Sequence, residues 1–338
     1  MFKNVISYRV PFVFVAGVFI IYQLVIREGI LPALIFAILP VIGIGCAGIF
    51  HGQLAFYAFF VINYFIMGIS RYFPMKTGMI MLGLTLGLLL LVFLKNIFHP
   101  YDWKRSRNFL TVIWLIWFVY CLLEIFNPTS VIQAWNIAIN GYAFFPLLSA
   151  ILIPILFTRY KDLKWLLILW AFLCLLAAAK GYWQRNHGFD SAELYWLLVE
   201  GGARTHFIYS GVRYFSFFSD AANYGTSMGL SMTIFGIIGF YVRPIWLKFL
   251  FWGTAVASFY GLMISGTRSA VIIPIVGLVT YLILCRNIKY MLFGICILTA
   301  SLLFLTQTNI GNENSLIRRM RTTFDKDDAS MQLSLIHI

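Results

Sequence analysis

The sequence predicts an all-α protein, a polytopic integral-membrane helix bundle of about eleven transmembrane helices with two long segments on the outer side. Three observations carry this. Of 338 residues, 61% are hydrophobic and only 11% charged, and the mean hydropathy is +0.87. Apolar windows long enough to cross a bilayer recur from end to end. Basic residues gather in alternate short loops, as they do when spans are threaded with a fixed orientation. A soluble fold of this length could not hide so much apolar surface.

Taken in order, the first run, Val10–Ile26, follows Lys3 and Arg9 as a signal peptide would. It is long, lacks a small-residue cleavage pattern and is followed by further spans, so it reads as the first transmembrane helix. The next spans are Ile30–Ile49, Leu54–Ile69, Thr77–Leu94, Phe109–Phe126, Tyr142–Phe157 and Trp165–Ala179. After a polar interval come Tyr224–Tyr241, Trp246–Ile264, Ala270–Cys285 and Tyr290–Leu305. Pro32, Pro40, Pro146, Pro154 and Pro274 fall in or near spans, where a kink is tolerated if neighbours satisfy the freed carbonyls. Gly43-Ile44-Gly45-Cys46-Ala47-Gly48 has the spacing of a dinucleotide fingerprint. It lies inside a span with no strand before it, so close helix packing is the reading there, as at Gly83 and Gly87. Glu124 sits near the outer end of its span, within reach of water. The five cysteines (Cys46, Cys121, Cys174, Cys285, Cys296) lie in apolar runs without metal-site spacing and read as small packing residues.

With the N-terminus inside, the inner loops hold thirteen basic residues, and the short outer loops hold four: Arg27, Arg71, Lys76 and Arg268. The net charge of +13 is therefore a topology signal, with some attraction to anionic membrane lipid, and nucleic acid is excluded as a partner. The same count puts Lys180–Asn223 and Thr306–Ile338 outside, and with them the polar chemistry.

Lys180–Asn223 mixes aromatics (Tyr182, Trp183, Tyr195, Trp196) with charged groups that include Arg204 and His206. Ala192–Val199 fits a short amphipathic helix at the bilayer surface. Such a mixture suits sugar rings, or an ordinary lid over the bundle. The segment ends in Arg213, a Phe-rich stretch, and Ser219-Asp220-Ala221-Ala222-Asn223, where Ser219 or Asp220 can cap the next helix. A second arginine stands in Ile264-Ser265-Gly266-Thr267-Arg268-Ser269-Ala270, a tight turn in which Ser265, Thr267 or Ser269 can cap the following span. An arginine beside a helix N-terminus suits an anion, and its planar fork suits phosphate. For Arg268 the plain alternative is an interfacial arginine that sets helix depth. Two such arrangements on one side could hold the two phosphates of a diphosphate.

Arg213 with Ser219-Asp220-Ala221-Ala222-Asn223, followed by Ser265-Gly266-Thr267-Arg268-Ser269-Ala270, resembles two motifs of the O-antigen ligase and polymerase superfamily, in the same order and on the same predicted side. Asp220 and Ala221 depart from the Asn-Pro that other members often carry. The resemblance covers about the second half of the chain and implies glycan transfer outside the bacterial cytoplasmic membrane, from a polyprenyl-diphosphate-linked glycan donor to a sugar hydroxyl on a lipid-A core or another glycan. It assigns the diphosphate to Arg213 and Arg268. Ser265, Gly266, Thr267, Ser269, Asp220, Asn223, Arg204 and His206 would line the substrate. Two guanidinium groups make a metal or other cofactor unnecessary.

By domain, residues 1–305 form the bundle, including the outer loop 180–223, and residues 306–332 resemble the start of that family's large periplasmic loop. Residues 333–338, Leu-Ser-Leu-Ile-His-Ile, match one frame of a sequencing-transposon end. They read as an assembly scar, so His337 is not expected to be the base that the family places in this loop. Two alternatives stay open: a transporter or flippase of lipid-linked or anionic solutes, disfavoured by nearly charge-free span interiors, and a noncatalytic envelope-assembly subunit.

Overall fold

The computed structural model describes residues 52–73, 77–128, 131–208, 211–285, 288–308 and Arg321. The first two predicted spans, the Gly43–Gly48 motif, Cys46 and almost all of the tail, with His337, lie outside them. The described residues are nearly all helical, and each predicted span from Leu54 onward meets a helix. Among the described residues, six helical stretches have the length and hydropathy of a membrane crossing. The chain divides into two compact units.

One unit contains the start of α1 (Gly52–Ile69), α2 (Thr77–Phe98), α3 (Phe109–Leu123), α4 (Ile132–Ala138) and α5 (Phe145–Leu156). Asn108 caps α3 by accepting the N–H of Thr111 at 3.0 Å. α3 is apolar on every side and buries none of its side chains, the pattern of a helix facing lipid. A π-helical stretch, Ile139–Phe144, leads into α5, which carries Pro146 in its first turn and Pro154 inside. Each proline lacks the N–H that would bond the carbonyl four residues back. Those carbonyls, of Tyr142 and Ala150, instead accept the indole N–H of Trp117 at 3.2 Å and the hydroxyl of Thr111 at 3.2 Å. Two side chains of α3 thus repair both breaks, as backbone polar groups in a bilayer require. The close packing expected at Gly83 and Gly87 is absent among the described residues: a Cβ at either would meet nothing within 4 Å.

The other unit holds the end of α1, most of α6 (Tyr160–His187), α7 (Ser191–Leu198), α8 (Ala203–His206), α9 (Ala221–Tyr241), α10 (Ile245–Ser265), α11 (Ile272–Leu284) and α12 (Ile288–Gln307). A two-stranded antiparallel ribbon, Phe207–Ile208 with Gly211–Val212, precedes Arg213. Small residues on α6 (Ala171, Cys174, Ala177) let Tyr224 and Met228 of α9 and Leu262 of α10 close into one core. In a bilayer such close fit, rather than water exclusion, holds helices together. α6 runs two turns beyond the predicted end at Ala179. Lys180 and Gln184 find partners in α7, so nothing breaks the helix before Gly188, whose φ of +86° ends it. α7 starts one residue earlier than predicted because Asp190 and Glu193 form a reciprocal capping box.

Candidate functional site

The polar residues converge where α9 begins. Asp220 is its N-cap, as predicted: Oδ1 accepts the N–H groups of Ala222 (2.8 Å) and Asn223 (2.9 Å). Oδ2 accepts the Ser219 hydroxyl (2.8 Å) and the exposed Asn223 amide (2.9 Å). The Ala221 N–H goes to His206 Nε2 at 3.1 Å, and Tyr224 N–H to the Asp220 carbonyl at 3.1 Å. The first N–H groups of α9 are therefore taken by the protein itself.

Arg213 reaches across from the ribbon. Its Nε donates to the Ser265 carbonyl (3.3 Å), Nη1 to the Thr205 carbonyl (3.1 Å) and Nη2 to the Thr267 hydroxyl (2.9 Å). Thr267 Oγ1 in turn donates to the Ala221 carbonyl at 2.8 Å. One hydroxyl thus joins the two sequence motifs. Close approach makes the joint specific: a Cβ on Gly225 would sit 3.0 Å from Thr267 Cβ and 3.1 Å from Ser265 Cβ.

The turn ahead of α11 differs from expectation. Ser265 and Thr267 are buried and their hydroxyls serve the turn and α9, not the next helix. Gly266, at φ +58°, ends α10 in the left-handed conformation that favours glycine. The 3-10 turn Ser269–Val271 then begins at Arg268 with no side-chain cap; the Ser265 and Thr267 hydroxyls are engaged elsewhere, and Ser269 lies within the turn itself. Arg268 is half-buried and Ser269 exposed.

Charge is uneven here. Burial pulls the Arg213 guanidinium below the usual arginine range, and the positive charge of Arg268 pulls the same way against Asp220. Arg71 enters from the end of α1. It lies between the rings of Trp196 and Phe215, at 4.4 and 4.3 Å, and donates to the carbonyls of Phe218 and Ser219, the latter at 2.8 Å. Burial lowers it to about 10, against the pull of Glu193 and Asp220. Arg71 and Arg213 thus both feel the carboxylate of Asp220, and Arg71 that of Glu193 as well.

A second layer supports this loop. Lys180 pairs with Asp190 (3.1 Å) and Glu193 (2.9 Å), and Tyr72 donates to Asp190. Gln184 donates to Glu193 at 2.8 Å and accepts the N–H of Ser216 at 2.9 Å. That bond helps hold Ser216, fully buried, at φ +53°.

The structure therefore gathers Arg213, Asp220, His206, Ser265, Gly266 and Thr267, with Arg268, Ser269 and Asn223 at the margin and Arg204 exposed nearby on α8. Sequence reasoning missed Arg71, Lys180, Gln184 and Glu193. The Asp190–Glu193 capping spacing was a readable signal; Arg71 carried none beyond its place in an outer loop. No protein-family model, no curated protein and no solved structure matches this chain.

Proposed function

We propose that the chain is a membrane glycosyltransferase of the O-antigen ligase or polysaccharide polymerase kind, acting on the periplasmic face of a bacterial inner membrane. A polyprenyl-diphosphate-linked glycan would be the donor, and a sugar hydroxyl of a lipid-A core or glycan the acceptor. The observation that supports this reading is that Arg213 bonds the Ser265 carbonyl and the Thr267 hydroxyl, which brings the two motifs predicted to hold a diphosphate, far apart in sequence, together. Like charges held together beside one carboxylate are relieved by a dianion, and a leaving diphosphate gains charge in the transition state.

In the reaction the acceptor oxygen bonds to the anomeric carbon while the carbon–oxygen bond to the diphosphate breaks, and the bonding pair stays on the diphosphate. Arg268, with the N–H donors of Arg213 that face away from Ser265, Thr205 and Thr267, would take up that charge. The acceptor proton needs a base, a histidine that the resemblance places in the family's large periplasmic loop, whose start residues 306–332 resemble. The test is release of polyprenyl diphosphate by the full-length protein. Arg213→Ala and Arg268→Ala should each abolish release with insertion into membranes intact, and Arg268→Lys should be impaired because a point charge lacks the fork. Wild-type release by both alanine variants would sink the assignment.

A further inference from the structure

We infer that His206 is a positioning residue that locks Arg213 to the start of α9 only while its imidazole is neutral, so that the site opens on acidification. The lock has three parts. The His206 ring accepts the Ala221 N–H at Nε2 (3.1 Å), and its own carbonyl accepts the Arg213 backbone N–H at 2.9 Å. The neighbouring Thr205 carbonyl accepts the Arg213 guanidinium at 3.1 Å. One short helix therefore binds both the α9 terminus and the arginine.

The tautomer follows from the donors. A backbone N–H can only donate, so Nε2 is the bare nitrogen and Nδ1 carries the proton, which it gives to the Gly202 carbonyl at 2.9 Å. The ring is 1% exposed and meets Trp196 of α7 and Phe215 edge-on, each at 5.1 Å. A second ring proton has nowhere to go: it would point a donor at the donor of Ala221, beside the positive end of α9.

Charge opposes it too. Arg213 and Arg71 face the ring as cations and Asp220 as the carboxylate; Glu193 of α7 is engaged by Lys180 and Gln184. Burial is the largest influence and holds His206 below its ordinary value, with Arg213 and Arg71 adding to it and the Gly202 carbonyl and Asp220 opposing. A depressed histidine stabilises the neutral, closed form above the ordinary value near 6.5, and that stability is lost as pH falls below it. At pH 5.5 an opened state with an ordinary histidine is favoured more than at pH 8, by up to about tenfold.

The binding consequence rests on the diphosphate reading above; the locking itself does not. Hydrogen exchange of the full chain in lipid nanodiscs, corrected for intrinsic rates, tests the lock without ligand. Peptides covering Ala221–Tyr224 should lose protection in wild type between pH 8 and pH 5.5, by up to about tenfold. In His206→Gln, whose amide oxygen can still accept the N–H but does not titrate, protection should stay level. Level protection in wild type, or an equal loss in the glutamine variant, overturns the inference.

The second arm measures binding of uridine diphosphate N-acetylglucosamine, a disubstituted diphosphate with no second phosphate proton to titrate. Wild-type affinity should fall by a similar factor over that range, and the affinity of His206→Gln should not change with pH. Binding at no pH contradicts the diphosphate reading, while the exchange result still decides the lock.

Discussion

The start of α9 and the turn ahead of α11 lie against each other, joined by Thr267, and each has an arginine, yet they are built differently. At α9 every early N–H has a protein acceptor, from Asp220 and His206, and Arg213 spends three bonds on Ser265, Thr205 and Thr267. Ahead of α11 no side chain caps the 3-10 turn, and Arg268 is half-buried beside it. The first region is a brace that also carries charge. The second places an arginine at a helix start that no side chain caps. On the proposed reading, similar residue patterns divide the work of one anion site between holding and receiving.

The largest expected effect separates the arginines. Arg213→Ala should cost about 3 kcal/mol in detergent unfolding, because it leaves buried acceptors without donors. Arg268→Ala should cost less in the same assay, because it leaves the bonds that join the two motifs in place. Equal losses would erase the distinction.

Next comes Thr267→Val, which keeps the shape and removes the hydroxyl between Arg213 and Ala221. It should cost about 2 kcal/mol, while Ser269→Ala, two residues on at the uncapped start, should change stability by no more than about 0.5 kcal/mol. Asp220→Ala should cost about 1 kcal/mol as the loss of an N-cap, measured in the same unfolding assay. An effect of the same size lies in the other unit. Thr111→Val, which orphans the Ala150 carbonyl freed by Pro154, should cost about 1 kcal/mol, and a value near zero would mean that another donor serves that carbonyl.

What could be read in advance follows from range. Spans were legible because hydropathy over a long window reports the bilayer, and the Asp220 cap because capping is decided within a few residues. Helix ends were less so: α6 passed Ala179 because Lys180 and Gln184 are satisfied by Asp190 and Glu193. The roles of His206, Ser265 and Thr267 depend on partners across the fold. Read as polar groups near an arginine they pointed to substrate; in the structure they hold the backbone. Arg71 was invisible as a neighbour of Phe218 and Ser219, since no local pattern links residues so distant.

The central claim, that Arg268 receives an anion while Arg213 also holds the fold, is tested most directly by calorimetric titration of uridine diphosphate N-acetylglucosamine at pH 8 into wild type and Arg268→Ala. The account predicts binding by wild type and at least a tenfold weaker affinity in a variant that still unfolds cooperatively. Equal affinity in the two proteins would contradict it.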